Sequence, residues 1–82
     1  MAKTEISPMH RKMIDAFGHN VEVRLYGGYK PVIGKCMNYT QPLDNDPEVA
    51  SIDIAVPSEY HEDGYRIVEV TEEEIESLTI TD

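Results

Sequence analysis

Apolar and polar residues alternate with a period of two through much of the chain, a pattern typical of half-buried β-strands. The clearest example is the segment 21–39, where the apolar residues of VEVRL alternate with charged ones. Gly27 and Gly28 follow this run, and glycines readily adopt the positive φ angles of a tight hairpin turn. The segment therefore predicts two antiparallel strands, at about residues 20–26 and 32–39.

Three later segments continue the same alternation. ASIDIAV, YRIVEV and the final ESLTIT predict strands at about residues 50–56, 65–70 and 76–81. Between the last two, Thr71–Glu74 matches a capping box and predicts a single helical turn. A chain of this length has room for one core only, so the five strands are expected to form an antiparallel meander in a single domain, residues 1–82.

One helix is predicted before the strands, at about residues 8–17. Ser7 and Pro8 are typical of a helix start, because the hydroxyl caps exposed amides and proline needs no hydrogen-bond donor there. Gly18 is typical of a helix end. The apolar residues of the segment share one face, which is expected to lie on the open end of a small barrel: Met9, Met13, Ala16 and Phe17.

A glycine lies inside the second predicted strand. Gly34 at such a position indicates a close backbone approach or a sharp bend. A meander of five short strands with an internal glycine usually closes into a small barrel. The expected fold class is therefore mainly β, an N-terminal helix followed by a strongly bent five-stranded antiparallel sheet. Cys36 shares the predicted inward face of Gly34, so it is expected to be a small core residue and not a nucleophile.

The net charge of -9 is unevenly distributed. Residues 1–36 carry six Lys and Arg against three Asp and Glu, whereas residues 37–82 carry Arg66 alone against thirteen acids. Since nucleic-acid binding requires cations that displace counterions, only the first part of the chain offers a surface for it. The acidity of the second part serves either solubility or the docking of a partner.

Three features indicate a cytoplasmic protein that does not enter a membrane. No apolar run approaches the roughly 20 residues of a membrane-spanning helix. The N-terminal residues lack the apolar core of a secretory signal. The single cysteine cannot form an internal disulfide, which fits a reducing compartment.

Polar residues with the chemistry of a metal or catalytic site are present but badly spaced. Asp44, Asp46 and Glu48 have the alternate spacing of a calcium loop, yet Val49 and Ala55 stand where such a loop needs glycine and glutamate. The three histidines lie far apart, and none has a metal-ligand neighbour at helical spacing. We therefore expect no metal, no cofactor and no catalytic residue.

The hairpin segment resembles the first motif of the Sm-like (LSm-type) family. That motif has an alternating strand, a glycine turn and a second strand with an internal glycine and a late aromatic residue. The tail 65–80 resembles the last two strands of the same family and the turn between them. The residues that match the first motif are Val21, Val23, Leu25, Gly27, Gly28, Val32, Gly34, Cys36 and Tyr39.

The resemblance implies an Sm-like, SH3-like small barrel over about residues 8–81. The chain also resembles small Sm-like proteins of Firmicutes and their phages, which share the acidic DNDPE loop at 44–48 and imply no activity. Sm proteins that bind RNA use an Asp and an Asn after the second strand and an Arg-Gly pair after the fourth. Here Thr40 stands at the aspartate position, and the later loop contains the acidic Glu72–Glu74.

Two surfaces remain as candidate binding sites. The first is basic and aromatic, and it would serve RNA or another partner if the cations are not simply a solvated helix face: His10, Arg11, Lys12, Arg24, Tyr26, Tyr29, Lys30 and Lys35. The second is the fourth strand, which has apolar residues on both faces: Tyr65, Ile67, Val68 and Val70.

The fourth strand has two interpretations. It is either an open edge that pairs with another chain or a strand buried on both sides within a closed barrel. Sm-like proteins assemble rings through their fourth and fifth strands, which agrees with the first interpretation. The sequence therefore predicts a non-enzymatic binding module that binds a protein partner or itself. RNA binding through the basic side of the helix is the alternative.

Overall fold

A computed structural model describes residues 7–42 and 49–82 of the protein. Within these two ranges one helix precedes five strands, as the sequence predicts, and the acidic residues Asp44, Asp46 and Glu48 lie outside them. The elements are α1 (Pro8–Ala16), β1 (Asn20–Leu25), β2 (Val32–Thr40), β3 (Ser51–Pro57), β4 (Tyr65–Thr71), a 3₁₀ turn (Glu72–Glu74) and β5 (Ile75–Ile80).

Helix α1 begins and ends where the local residues require it. The Ser7 Oγ accepts a hydrogen bond of 3.0 Å from the His10 amide, and Pro8 follows the cap. Gly18 has a φ of 85°, a conformation that other residues rarely adopt.

Met13 and Ala16 are buried as predicted, but Phe17 is 58% exposed. The prediction failed for Phe17 because the helix ends at Ala16, so the next side chain leaves the apolar face. At nine residues, α1 is too short to cross a membrane, and the described residues contain no other helix that is long and apolar enough.

The five strands form one antiparallel sheet in the order β4-β3-β2-β1-β5. The sheet is not closed, because within the described residues β4 pairs only with β3 and β5 pairs only with β1. The predicted closure of the barrel by hydrogen bonds is therefore not seen. The 3₁₀ turn is the reason: it carries the chain from one edge of the sheet to the other instead of folding it back beside β4.

The 3₁₀ turn nevertheless holds the two edges near each other at one point. Four peptide steps separate Thr71 from Ile75, which is at most about 14 Å. The Glu72 amide donates to the carbonyl of Ala50 and the Tyr26 amide donates to the carbonyl of Glu74, at 2.9 and 3.0 Å. Two edge strands that meet at such a short connection require a strongly curved sheet.

Gly34 lies at a close approach of β2 and β3. A Cβ atom at this position would lie 2.1 Å from the carbonyl oxygen of Ala55 and 2.8 Å from its carbon. A register shift in the same strand pair, between Cys36 and Asn38, adds a bulge that increases the local bend. The predicted close approach of the backbone at the internal glycine is confirmed.

The core fills the concave side of this sheet. Alternating residues of the strands point inward, and α1 covers them, in contact with β5, β2 and the 3₁₀ turn. Cys36 is fully buried, and burial raises the pKa of its thiol above the usual value. The buried apolar residues are Met13, Ala16, Val21, Val23, Cys36, Ala50, Ile52, Ile54, Val70, Ile75 and Leu78.

Two carboxylates face each other on the outer side of the sheet. Asp53 of β3 lies directly opposite Glu69 of β4, and Asn38 of β2 lies on the other side of Asp53. Burial first, and then the charge of Glu69, raises the pKa of Asp53 above its usual 3.8. A carboxyl group whose pKa is raised in the folded state stabilises the fold below that pH and loses this contribution as the pH rises. Ionised Asp53 therefore destabilises the protein at neutral pH.

Replacing Glu69 with glutamine is expected to stabilise the protein at pH 7 by a few tenths to about 1 kcal/mol, the size of a cross-strand pair effect. Urea unfolding checks this result. Glu76→Gln is the matched control, because Glu76 lies at a register shift of β5 and has no cross-strand carboxylate opposite it. Equal effects of the two variants would show that net charge, and not the Asp53 contact, is responsible.

Candidate functional site

Strand β4 is an edge strand with different side chains on its two faces. Val68 and Val70 lie opposite Ile54 and Ile52, so they face the core, and Val70 is buried. Tyr65 and Ile67 lie on the outer face and are 39% and 51% exposed. Within the described residues β4 pairs with β3 alone, so it is an open edge of the sheet with apolar groups exposed beside it.

The apolar outer face extends inward from β4 across the sheet. Ala55 of β3 lies between Ile67 of β4 and Lys35 of β2. Two residues before Lys35 on the same face, Ile33 is 56% exposed. The relation of Ile33 to β4 was not predictable from the sequence, because it depends on the register of three strands.

An open concavity of about 680 Å³ lies where the β3–β4 hairpin turns. Pro57, Tyr60 and Arg66 line it, and the Tyr60 side chain is 93% exposed. Tyrosine and arginine are enriched at protein interfaces, since each offers a large contact area together with a polar group. The β4 side of the molecule thus presents exposed aromatic, apolar and cationic groups in one region.

The structure does not bring the predicted basic residues onto one surface. Arg11 and Lys12 are exposed on α1, which covers the core face of the sheet. Arg24 and Lys35 point from the opposite face of the sheet, and Arg24 forms an ion pair of 2.9 Å with Glu22. The remaining exposed members lie in the β1–β2 turn, where Tyr26, Tyr29 and Lys30 follow one another closely.

His10 belongs to a polar cluster that sequence reasoning missed. Its Nε2 is hydrogen-bonded to the Tyr39 hydroxyl, and its Nδ1 lies 3.9 Å from a carboxylate oxygen of Glu72. The Ser7 hydroxyl donates a hydrogen bond of 2.5 Å to the other oxygen of Glu72. The cluster joins the start of α1, the end of β2 and the 3₁₀ turn. No local sequence signal reveals it, because Ser7 and Glu72 are 65 positions apart.

The geometry of this cluster favours a structural role. The Ser7 hydroxyl accepts a hydrogen bond from the His10 amide and donates one to Glu72. Its oxygen is therefore not paired with the His10 ring in the way that a catalytic nucleophile is paired with its general base. The partly buried His10 ring contacts both Tyr39 and Glu72, and these contacts fix the position of α1 on the sheet. Burial first, and then the negative charge of Glu72, raises the pKa of Tyr39 above its usual 10.0.

This cluster predicts an alkaline loss of stability. Because the pKa of Tyr39 is raised in the folded state, its contribution is complete below about pH 10 and is lost as the pH rises further. Cys36 acts in the same direction from about pH 9. Tyr39→Phe should lower stability at pH 7 by about 1 kcal/mol through the lost hydrogen bond and should reduce the slope above pH 10. Urea unfolding across pH 7–11 checks this, with Tyr29→Phe on an exposed turn as the control. An unchanged alkaline slope in Tyr39→Phe would contradict the assignment.

Within the described ranges 7–42 and 49–82, no three His, Cys, Asp or Glu side chains are grouped to hold an ion. Comparisons with protein-family models, curated proteins and solved structures found no match for the chain. Its function must therefore be inferred from these surfaces.

Proposed function

We propose that the chain is a non-enzymatic Sm-like binding module that self-associates through β4. The observation that carries this proposal is an edge strand with exposed apolar side chains beside it, namely Tyr65 and Ile67. An exposed edge offers unpaired backbone groups, and apolar neighbours make the addition of another strand favourable. The sheet has a second edge at β5, so one copy offers both halves of a head-to-tail contact.

The arrangement of the elements supports the Sm-like part of the proposal. An N-terminal helix, a five-stranded antiparallel meander and a single-turn connection between β4 and β5 all agree with the resemblance in the sequence. Pairing of the fourth and fifth strands between copies is the assembly that the resemblance implies. We place the protein in the cytoplasm, where reducing conditions suit its one buried thiol.

The experiment compares two isoleucines with nearly equal exposure. Ile67 lies on edge strand β4 and Ile33 lies on central strand β2, and both point to the outer face. Ile67→Lys should lower the self-association constant by at least about tenfold, because a charge would lie against the added strand. Ile33→Lys, with the same chemical change, should have a much smaller effect. Sedimentation velocity over a dilution series measures both, and circular dichroism checks that both variants are folded.

Salt provides an independent test of the same proposal. Two copies with a charge of -9 repel each other, so moderate salt should strengthen self-association by screening. Dissociation on adding salt, or equal losses in Ile67→Lys and Ile33→Lys, would contradict association through β4. If the chain is a monomer that binds a different protein through Ile67, the proposed interaction module stands and the proposed self-association is wrong.

RNA binding is the second candidate, and the exposed β1–β2 turn favours it. Tyr26 and Tyr29 are 60% and 71% exposed beside Lys30, an arrangement that can stack bases and contact phosphate. Arg11 and Lys12 on α1 offer further cations. Fluorescence anisotropy with single-stranded RNA should show binding that weakens with salt and is reduced by Lys30→Glu in this turn as well as by Arg11→Glu with Lys12→Glu on α1. The absence of binding at low salt would exclude this candidate.

A further inference from the structure

A groove lies along the edge of the sheet that β5 forms, between this strand and helix α1. Leu78, Thr79 and Ile80 form one wall, and the helix contributes Lys12 and Asp15 to the other. The groove has a volume of about 280 Å³, and within the described residues no strand pairs with β5 on this side. Its lining therefore combines an edge strand with apolar groups and two opposite charges.

The core face of β4 has side chains that suit this groove. Val68 is partly buried, and Arg66 lies two residues nearer the hairpin turn on the same face, opposite Val56. Arg66 is exposed, and among the described residues it has no ion pair. It is also the only Lys or Arg between residues 37 and 82.

The two faces of a sheet remain continuous when another strand is added at its edge. A β4 strand added parallel to β5 of a second copy would place its core-face side chains on the core face of that copy, because β4 and β5 run in the same direction in the antiparallel order β4-β3-β2-β1-β5. Helix α1 covers this same face, since Met13 and Ala16 pack into the core. Arg66 and Val68 of the first copy would therefore point toward the helical wall of the groove, which carries Asp15.

We infer that Arg66 of one copy forms an ion pair with Asp15 of the next copy, in the groove between α1 and β5. This inference rests on the proposed self-association and names its specific contact. Asp15, like Arg66, is exposed and has no ion pair among the described residues. Lys12 lines the same groove about one helical turn earlier and repels Arg66. The two charges of the wall thus select one position of the added strand, because a shifted strand would bring two cations together.

Charge reversal tests the pair. Arg66→Glu and Asp15→Lys should each weaken self-association by at least about tenfold in sedimentation velocity. The double variant, which restores the pair in reversed order, should recover association to within about threefold of the natural chain. Arg11→Glu is the matched control for Arg66→Glu: it makes the same change in net charge on an exposed residue that does not line the groove, and it should change association by less than about twofold.

The outcomes separate this inference from the proposal beneath it. If the natural chain does not associate, both are wrong. If Ile67→Lys disrupts association but the double charge reversal is no better than the sum of its single variants, β4 is the interface and the Arg66–Asp15 contact is wrong. Recovery of association in the double variant, together with weak association in both single variants, establishes the contact. A change in net charge or folding caused by either single substitution would not produce this recovery.

Discussion

Replacing Gly34 with alanine is expected to destabilise the protein by about 3 kcal/mol or more, enough to unfold a large fraction of a small domain. The new Cβ would lie 2.1 Å from the carbonyl oxygen of Ala55, which is a backbone atom in a paired strand. A flexible side chain could move aside, but this oxygen can move only if β2 and β3 separate. The strain therefore falls directly on the central strand pair.

Gly28→Ala is the matched control for this prediction. Gly28 lies in the β1–β2 turn with a φ of 78°, and a Cβ there would meet no atom within 4 Å. Its replacement should cost only about 1–2 kcal/mol, the cost of a left-handed conformation in a residue with a side chain. Urea unfolding measures both variants. A Gly34→Ala variant as stable as Gly28→Ala would contradict the close approach of β2 and β3.

Replacing Ile54 with alanine is expected to cost about 3–4 kcal/mol, because the side chain is fully buried and its removal leaves a cavity. Ile54 lies opposite Cys36 and Val68, at the middle of the strands that form the curved sheet. Ile67 of the neighbouring strand is 51% exposed, and Ile67→Ala should cost less than about 0.5 kcal/mol in the monomer.

This comparison separates fold from interaction. Both variants remove the same atoms, so the difference in the free energy of unfolding at high dilution reports burial within one copy. At higher concentration, Ile67→Ala should weaken self-association while Ile54→Ala changes mainly stability. A large loss of monomer stability in Ile67→Ala would show that Ile67 is part of the core and would remove it from the proposed interface.

Local patterns predicted the elements of this fold well. The alternation in β1 and β2, the glycines of their turn and the cap at Ser7 depend on residues within a few positions of one another. The close approach at Gly34 was also predictable from a local signal. A glycine inside a strand indicates that a Cβ atom at that position would clash with the neighbouring strand. The prediction that Phe17 is buried failed because the end of a helix is uncertain by about one residue, and a step of one residue changes the direction of the side chain by about 100°.

Features that depend on distant residues were not predictable in the same way. Both faces of β4 are apolar in the sequence, and only the strand order shows that it is an edge strand. The contacts of Ser7 and His10 with Glu72 require the 3₁₀ turn to lie beside the start of α1, and the contact of His10 with Tyr39 requires the end of β2 to lie there too. The predicted basic residues lie on different surfaces, because alternation along a strand places Arg24 and Lys35 on the face of the sheet away from α1. Sequence spacing alone does not contain that relation.

The most direct test of association through β4 is the mass of the natural chain in solution. Static light scattering at tens of micromolar, in moderate salt, should give a mass that is a multiple of the 9.3 kDa monomer and that falls on dilution. The same measurement on Ile67→Lys should give the monomer. A mass of 9.3 kDa for the natural chain throughout this range would contradict self-association through β4.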